Sequence, residues 1–403
     1  MSYQQGMSAV SQFGSAWSWW TKPRAVCWGE CVYVGSVNRL GQPIIEEWTR
    51  PEYPRRRHLL SSLSLEEDDH NNPALVLEDG LAPIAIYARH GVDNLLRYRI
   101  GATAFRPGGS LGAFNTEASI TGAGVVTYAQ AFVYSGVIHV LFRSGGWSYV
   151  KSTDWGATWS SPVVVFDGSA QFYTAAQQVG VGGAVLRLAV SSHPLTGSEP
   201  DQNIYYAELN LSTGVITSSG VTVGNTSGTS LPIDYGTLEV AASPTAGYKT
   251  WVYDVCSAGN PAVVWVSFDS ADWPGTSTYH YSVKVSGSWT TYNVVAAGGS
   301  FNPETDPQVQ AYFGGCQFES ATTLLTNRQA AGVWYLDRQT TANGGATWTS
   351  TNIASESTTG QALVRSWPVV DRDSSRPFDV VSNHAKNFNA YVDYRGNIGP
   401  SRI

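Results

Sequence analysis

Charge is scarce in this chain: Asp, Glu, Lys and Arg supply only 14% of its 403 residues, against roughly 25% in an ordinary soluble domain. With 42% apolar and 12% aromatic residues beside it, that scarcity excludes a disordered tail or a coiled coil. No apolar run approaches the roughly 20 residues that span a bilayer, so no membrane partner is expected. The opening MSYQQGMSAVSQFGS has neither a basic nor an apolar stretch, and no Sec export signal is visible. Cysteine is nearly missing. Cys27, Cys31, Cys256 and Cys316 are too few for a disulfide scaffold, and Cys27 and Cys31 lack a second pair at zinc-ribbon spacing. They read as buried thiols, and no metal site is expected. A net charge of −7 argues against a nucleic acid partner.

Helical periodicity is also close to absent. What the sequence has instead is strand-length apolar runs rich in Val, Tyr, Trp and Thr, each bounded by Gly, Asn, Asp or Ser. The runs come in pairs joined by a short turn, and each pair is followed by one or two further runs. Such pairs begin near Arg24, His70, Tyr128, Tyr173, Tyr248, Tyr312 and Arg365. Each unit reads as a four-stranded antiparallel blade. Seven units predict an all-β fold, a single seven-bladed β-propeller spanning 1–403, with 1–23 contributing to ring closure. Closure removes the exposed edges that so many short strands would otherwise present.

Two segments, Ser152–Trp159 and Thr341–Trp348, share the pattern S/T-x-D/N-x-G-x-T-W, which resembles the Asp-box of sialidase-like propellers. Its residue types suit a turn: Asp or Asn caps backbone amides, Gly takes a positive φ, and Trp packs between sheets. The role expected of it is structural.

In a blade the innermost strand runs one way and the second returns, so residues that start the first strand and residues that end the second share one face. The expected ends of second strands carry His90, Arg143, His193, Arg328 and His384. The expected starts of first strands carry Arg24, His70, Tyr128, Tyr173 and Arg365. The chain has only seven histidines, and four of them fall on this one rim. An acidic protein that gathers His, Arg and Tyr at one mouth is suited to hold a carboxylate or sulfate against a general acid or base. His139, mid-strand in VIHVLF, reads instead as a core histidine, and His58, after three arginines, as a surface loop group.

At these residues the sequence resembles the BNR-repeat polysaccharide lyases that include ulvan lyases, which are seven-bladed propellers. The resemblance rests on D-D-H-N-N-P (Asp68 to Pro73), Arg89-His90-Gly91, Thr127-Tyr128 and Phe142-Arg143-Ser144-Gly145, and more loosely on AWSWWTKPRAV. It implies β-elimination at a uronic acid. His70 and Tyr128 would then be the proton-transfer pair, with the assignment of base and acid open, His90 a second site histidine, and Arg143 the neutraliser of the uronate carboxylate. Asn71, Arg89, Tyr173, His193, Arg328, Arg365 and His384 are the expected substrate-binding residues. The chemistry asks for these types, because a proton alpha to a carboxylate is too weakly acidic until that charge is matched, and guanidinium does so bidentately.

The expected partner is an anionic, uronate-containing polysaccharide, ulvan-like and in some forms sulfated. No cofactor is required; a structural calcium would suit a propeller, but no D-x-D-x-D-G loop places one. Action outside the cell is expected, with the protein carried on a virion, released by lysis, or written here without its signal. Two other readings stand beside the lyase: a non-catalytic glycan- or receptor-binding propeller such as a phage tail module, and a sialidase-like glycoside hydrolase. The hydrolase is the weaker, since no Glu falls at a strand end on the site face.

Overall fold

The computed structural model describes residues 15–16, 18–49, 56–61, 65–168, 171–194, 202–269, 277–300, 312–356, 361–368, 370–371, 380–390 and 393–401. Among them there is no α-helix; two 3₁₀ turns, Asp69–Asn71 and Tyr235–Thr237, are the only helical pieces. No helix is long and apolar enough to cross a membrane.

The strands form an all-β propeller whose blades are antiparallel sheets in simple up-and-down order. The second blade runs Ala74–Val76, Ile84–Tyr87, Leu95–Ile100 and Ala118–Thr121; the third runs Val126–Tyr134, Val137–Ser144, Trp147–Ser152 and Val163–Asp167. Six sheets carry four or more strands, among them the blades opening at Ala25, Phe172, Tyr248 and Gly315. The unit expected near Arg365 is a sheet of three strands, Gln361–Pro368, Val380–Ala390 and Asp393–Ser401. Seven four-stranded blades is therefore corrected to six. Part of the reason lies in where the chain goes next: Val370–Asp371 pairs in parallel with Val26 and Cys27 of the first blade instead of adding a strand to its own sheet.

The two turns of shared pattern are built alike. In the third blade the Ser152 hydroxyl accepts from the Gly156 amide at 2.7 Å, and Asp154 Oδ1 accepts from the Thr158 amide at 2.8 Å. In the sixth, Thr341 Oγ1 accepts from Gly345 N and Asn343 Oδ1 from Thr347 N, both at 2.9 Å. Each closing tryptophan then meets a tyrosine of the preceding blade: Trp159 lies 5.5 Å from Tyr98, and Trp348 5.3 Å from Tyr281. Gly345 has φ +102°, and a Cβ there would stand 2.6 Å from the Tyr281 ring, so both the turn and the close approach require glycine. Both turns follow a third strand, at the end of the blade away from first-strand starts.

Ser18 to Arg24 crosses the axis of the propeller. Trp19 and Trp20 are 1% exposed and touch first-strand residues from several blades, Trp20 packing 5.4 Å from Tyr128 and 4.2 Å from Tyr173, with Trp19 5.4 Å from Tyr312. The Lys22 ammonium, fully buried, donates to Asp254 Oδ1 at 2.5 Å and to the Ala176 carbonyl at 3.1 Å. Asp254 also accepts from the Phe318 amide at 3.0 Å, so one carboxylate joins the fifth blade, the sixth and the crossing segment. The segment is thus packed between several blades; of the 1–23 expected to contribute to ring closure, residues 1–14 and 17 lie outside the described residues.

Removing one member of a buried ion pair leaves the other charge unpaired in a poor solvent. Lys22→Met is expected to lower unfolding free energy by about 3–5 kcal/mol, and adding Asp254→Asn, which removes the unpaired charge and keeps an acceptor for the Phe318 amide, to recover part of it. Urea unfolding midpoints of both variants check this; an unchanged midpoint for the single variant would contradict the pairing.

Candidate functional site

The site forms where the second and third blades meet over the crossing segment, and it starts from one carboxylate. Asp68 caps the 3₁₀ turn Asp69–Asn71, its Oδ1 accepting from the His70 amide at 2.9 Å. The same oxygen accepts from His70 Nδ1 at 2.7 Å, while Oδ2 accepts from His90 Nδ1 at 2.7 Å. A carboxylate only accepts, so both imidazoles carry hydrogen on Nδ1. The rings stack 4.1 Å apart at 9°. A second carboxylate, Asp69, stands 2.8 Å from His70 Nδ1.

His90 lies just beyond the end of the Ile84–Tyr87 strand, and Asn71 holds it there. Asn71 Oδ1 accepts from the His90 amide at 2.7 Å, and its Nδ2 donates to the Leu65 carbonyl at 3.0 Å. Fully buried, Asn71 is a clamp between the two histidine loops; its assignment to substrate contact is corrected on that ground. Arg143, near the end of the Val137–Ser144 strand, brings its Nη2 within 3.5 Å of His90 Nε2 and its guanidinium carbon to 4.7 Å over the Tyr128 ring.

Tyr128 sits where the register of the Val126–Tyr134 and Val137–Ser144 pair slips, between Thr127 and Gln130. Its φ is +57°, a left-handed conformation that costs a bulky residue roughly 1–2 kcal/mol. Bulges of this kind re-aim side chains and gather near sites of chemistry. Here the ring lands 4.9 Å from that of His70, and its buried hydroxyl has no hydrogen-bond partner among the described residues. Tyr173 closes the far side, 5.7 Å from Tyr128 and 5.4 Å from the Arg143 guanidinium. His193 packs 5.7 Å from Tyr173 and 5.2 Å from Trp251.

The charges follow from this packing. Burial alone would favour neutral His70, but Asp68 and Asp69 outweigh it and raise the group from 6.5 to about 9. Burial likewise opposes ionisation of Asp68, yet His70 and then His90 hold it well below the carboxylate range. His90 goes the other way: burial, then the charge of His70, lowers it, against the pull of Asp68. Burial, with Tyr173 beside it, pushes the Tyr128 phenol well above its ordinary value, and burial with Arg143 nearby brings His193 down to about 3. The resting site thus pairs one imidazolium with one neutral imidazole.

Asp68, His70 and His90 offer ligand atoms within 4.8 Å of one another, close enough for a metal. Their geometry fits poorly: two nearly parallel rings cannot both aim in-plane lone pairs at one ion, and both Nδ1 atoms are committed as donors to Asp68.

Of the other expected residues, Arg89 is held by Glu66, with its Nε 2.9 Å from both carboxylate oxygens. Arg328 turns to its own blade, its Nε donating to Asp337 Oδ2 at 2.6 Å and its guanidinium 4.9 Å from the Tyr335 ring, so its expected place at the mouth is corrected. Arg365 and His384 fall inside Gln361–Pro368 and Val380–Ala390 rather than at a strand start and a strand end, and their side chains lie outside the described residues. His139 is buried mid-strand as expected, with Nδ1 2.7 Å from the Tyr149 hydroxyl. His58 is no loop residue: it lies in the Arg56–Leu59 strand, with Nε2 2.6 Å from buried Glu47. The four cysteines are free and buried. Sequence reasoning missed Asp68 as an anchor and Trp20 as the floor, though both lie in segments it singled out.

A histidine whose imidazolium is favoured by folding contributes stability that is full below about pH 6.5 and is lost as pH rises through about 9. Over that window the wild-type protein is expected to lose on the order of 3 kcal/mol that His70→Gln does not lose. Chemical denaturation at pH 6 and above pH 9 measures it; parallel pH dependences in the two proteins would contradict the assignment.

Comparison with known proteins places this geometry. No curated protein matches the chain. Among solved structures, one described as a new family of polysaccharide lyase, PL25 ulvan lyase, superposes with TM-score 0.72 at 14% identity, covering 99% of this chain and 95% of that one. A second, of the same lyase bound to -[GlcA(1-4)Rha3S]-, gives TM-score 0.73 with the same identity and coverage. The BP39L lectin of Burkholderia pseudomallei gives 0.51 at 11% identity, over 98% of this chain and 100% of the lectin. At such identities the likeness concerns the fold. The model of the BNR repeat-containing family, by contrast, matches the sequence itself over residues 35–297, and the chain belongs to that family.

Proposed function

We propose that this protein is a polysaccharide lyase that cleaves a uronate-containing, ulvan-like polysaccharide by β-elimination. The observation that carries this reading is the buried Tyr128 hydroxyl, without a partner among the described residues, on a ring that has the His70 imidazole on one side and the Arg143 guanidinium over it. The TM-score of 0.72 to an ulvan lyase over nearly the whole chain supports it.

In such a reaction a base takes the proton alpha to the carboxylate. The electron pair forms a carbon–carbon double bond, the glycosidic carbon–oxygen bond breaks, and an acid protonates the departing oxygen. Arg143 binds the carboxylate and neutralises its charge, so that negative charge develops against a fixed cation. His90, neutral at rest, is the group able to accept a proton at neutral pH. His70 and Tyr128, both holding their protons there, are the donors. Tyr173 and His193 wall the subsite beside them.

The sialidase-like hydrolase reading asks for an arginine triad around a carboxylate and a tyrosine nucleophile activated by a glutamate. Glu66 is engaged with Arg89, and Arg328 turns to Asp337 in its own blade. The binding-module reading draws on the lectin likeness and predicts retention of glycan without product.

The test is ultraviolet absorbance of new unsaturated uronate across a panel of uronate polymers. Arg143→Ala is expected to lower kcat by roughly 10²-fold or more, and Tyr128→Phe to a similar degree. A folded wild-type protein that retains a glycan of the panel but never yields the unsaturated product would replace this reading with the binding module.

A further inference from the structure

The arrangement of the two imidazoles carries one step more, resting on the lyase reading for its catalytic consequence but not for its geometry. We infer that Asp68 is a positioning residue: by accepting the Nδ1 hydrogens of His70 and His90 on its two oxygens, it fixes both tautomers and turns both Nε2 atoms toward the sugar.

An isolated neutral imidazole has no such constraint and is free to carry hydrogen on either nitrogen. Here the choice is made by geometry. Oδ1 accepts from the His70 amide and from its Nδ1, so the first ring is fixed to its own turn. Oδ2 reaches across 22 residues of sequence to His90 Nδ1. The His90 backbone is fixed separately by Asn71, so the second ring has no freedom to slide away from the first. With Nδ1 given to the carboxylate, the lone pair of a neutral ring lies on the opposite nitrogen, and His90 Nε2 is the one that faces Arg143.

Two stacked imidazoles 4.1 Å apart do not both hold a proton easily. Asp68 is the shared counter-charge, Asp69 stands close to His70, and Arg143 faces His90. Tyr128 and Tyr173 close the remaining sides, with His193 behind Tyr173; burial holds the Tyr128 phenol and the His193 imidazole neutral. Asp68 is common to both rings, so among the described residues the difference between them comes from Asp69, 2.8 Å from His70 Nδ1, and from Arg143, 3.5 Å from His90 Nε2. This asymmetry sends the proton to His70 and leaves His90 free to receive one.

The test begins with the wild-type protein, labelled with nitrogen-15 in its seven histidines. At neutral pH one site histidine is expected as an imidazolium titrating near pH 9 and the other as a neutral ring with hydrogen on Nδ1, each assigned through His70→Gln and His90→Gln. A neutral His90 carrying hydrogen on Nε2 would overturn the proposal whether or not any substituted protein folds. Asp68→Asn keeps the shape but offers one acceptor oxygen and one amide donor. It is expected to lower the His70 midpoint by roughly one unit or more, to shift one ring to the other tautomer, and to cut kcat by roughly 10²-fold with KM within about threefold. Asp68→Glu, with its carboxylate restored, is expected to recover the high His70 midpoint.

Asp68→Asn that leaves both the midpoint and kcat unchanged in an active lyase would end the proposal. If instead the tautomers and midpoints behave as expected while no polymer yields product, Asp68 keeps its positioning role and it is the lyase reading that falls.

Discussion

A ring of sheets leaves a hole on its own axis, and this protein fills it with its own chain. Trp19 and Trp20 bring the apolar bulk, and the Lys22 ammonium finds Asp254 at 2.5 Å inside it. The innermost strands can therefore pack against something solid instead of against water. The floor of the site belongs to the same device, because Trp20 lies under both Tyr128 and Tyr173. A left-handed tyrosine in a strand is strained, and packing on every side is what holds it there.

Above that floor the protein meets a problem of charge. The chain as a whole is acidic, yet at this place it concentrates guanidinium and imidazole around carboxylates that are already committed to partners. Asp68 and Asp69 are present but turned inward to histidine, so their charge organises the site without facing the mouth. Glu66 holds Arg89 in the same manner, which leaves Arg143 as the guanidinium that stands against the site rings.

Much of this was legible in residue order. Short β-branched and aromatic runs with regular turns specify blades, and the rule that first-strand starts and second-strand ends share a face brought His70, His90, Tyr128, Arg143, Tyr173 and His193 together correctly. The rule failed at Arg328 because it places a backbone and not a side chain, and Asp337 on the neighbouring strand drew that guanidinium outward. For Arg365 and His384 the side chains lie outside the described residues; the last unit gives a segment to the first blade, a long-range pairing that no local pattern announces. Asp68 was read as part of a motif yet given no task, since nothing in spacing says that one carboxylate will bridge two loops. Nor does the sequence announce the bulge at Tyr128, which arises from a slipped register between two strands.

The crossing segment also has a temporal side. Trp20 is hydrogen-bonded to the carbonyl of Val252, 232 residues further on, so this segment has no seat until the strand that carries Val252 has been made. Contacts so distant in sequence are slow to form, and until they do a tryptophan-rich segment is exposed to the solvent and to other nascent chains.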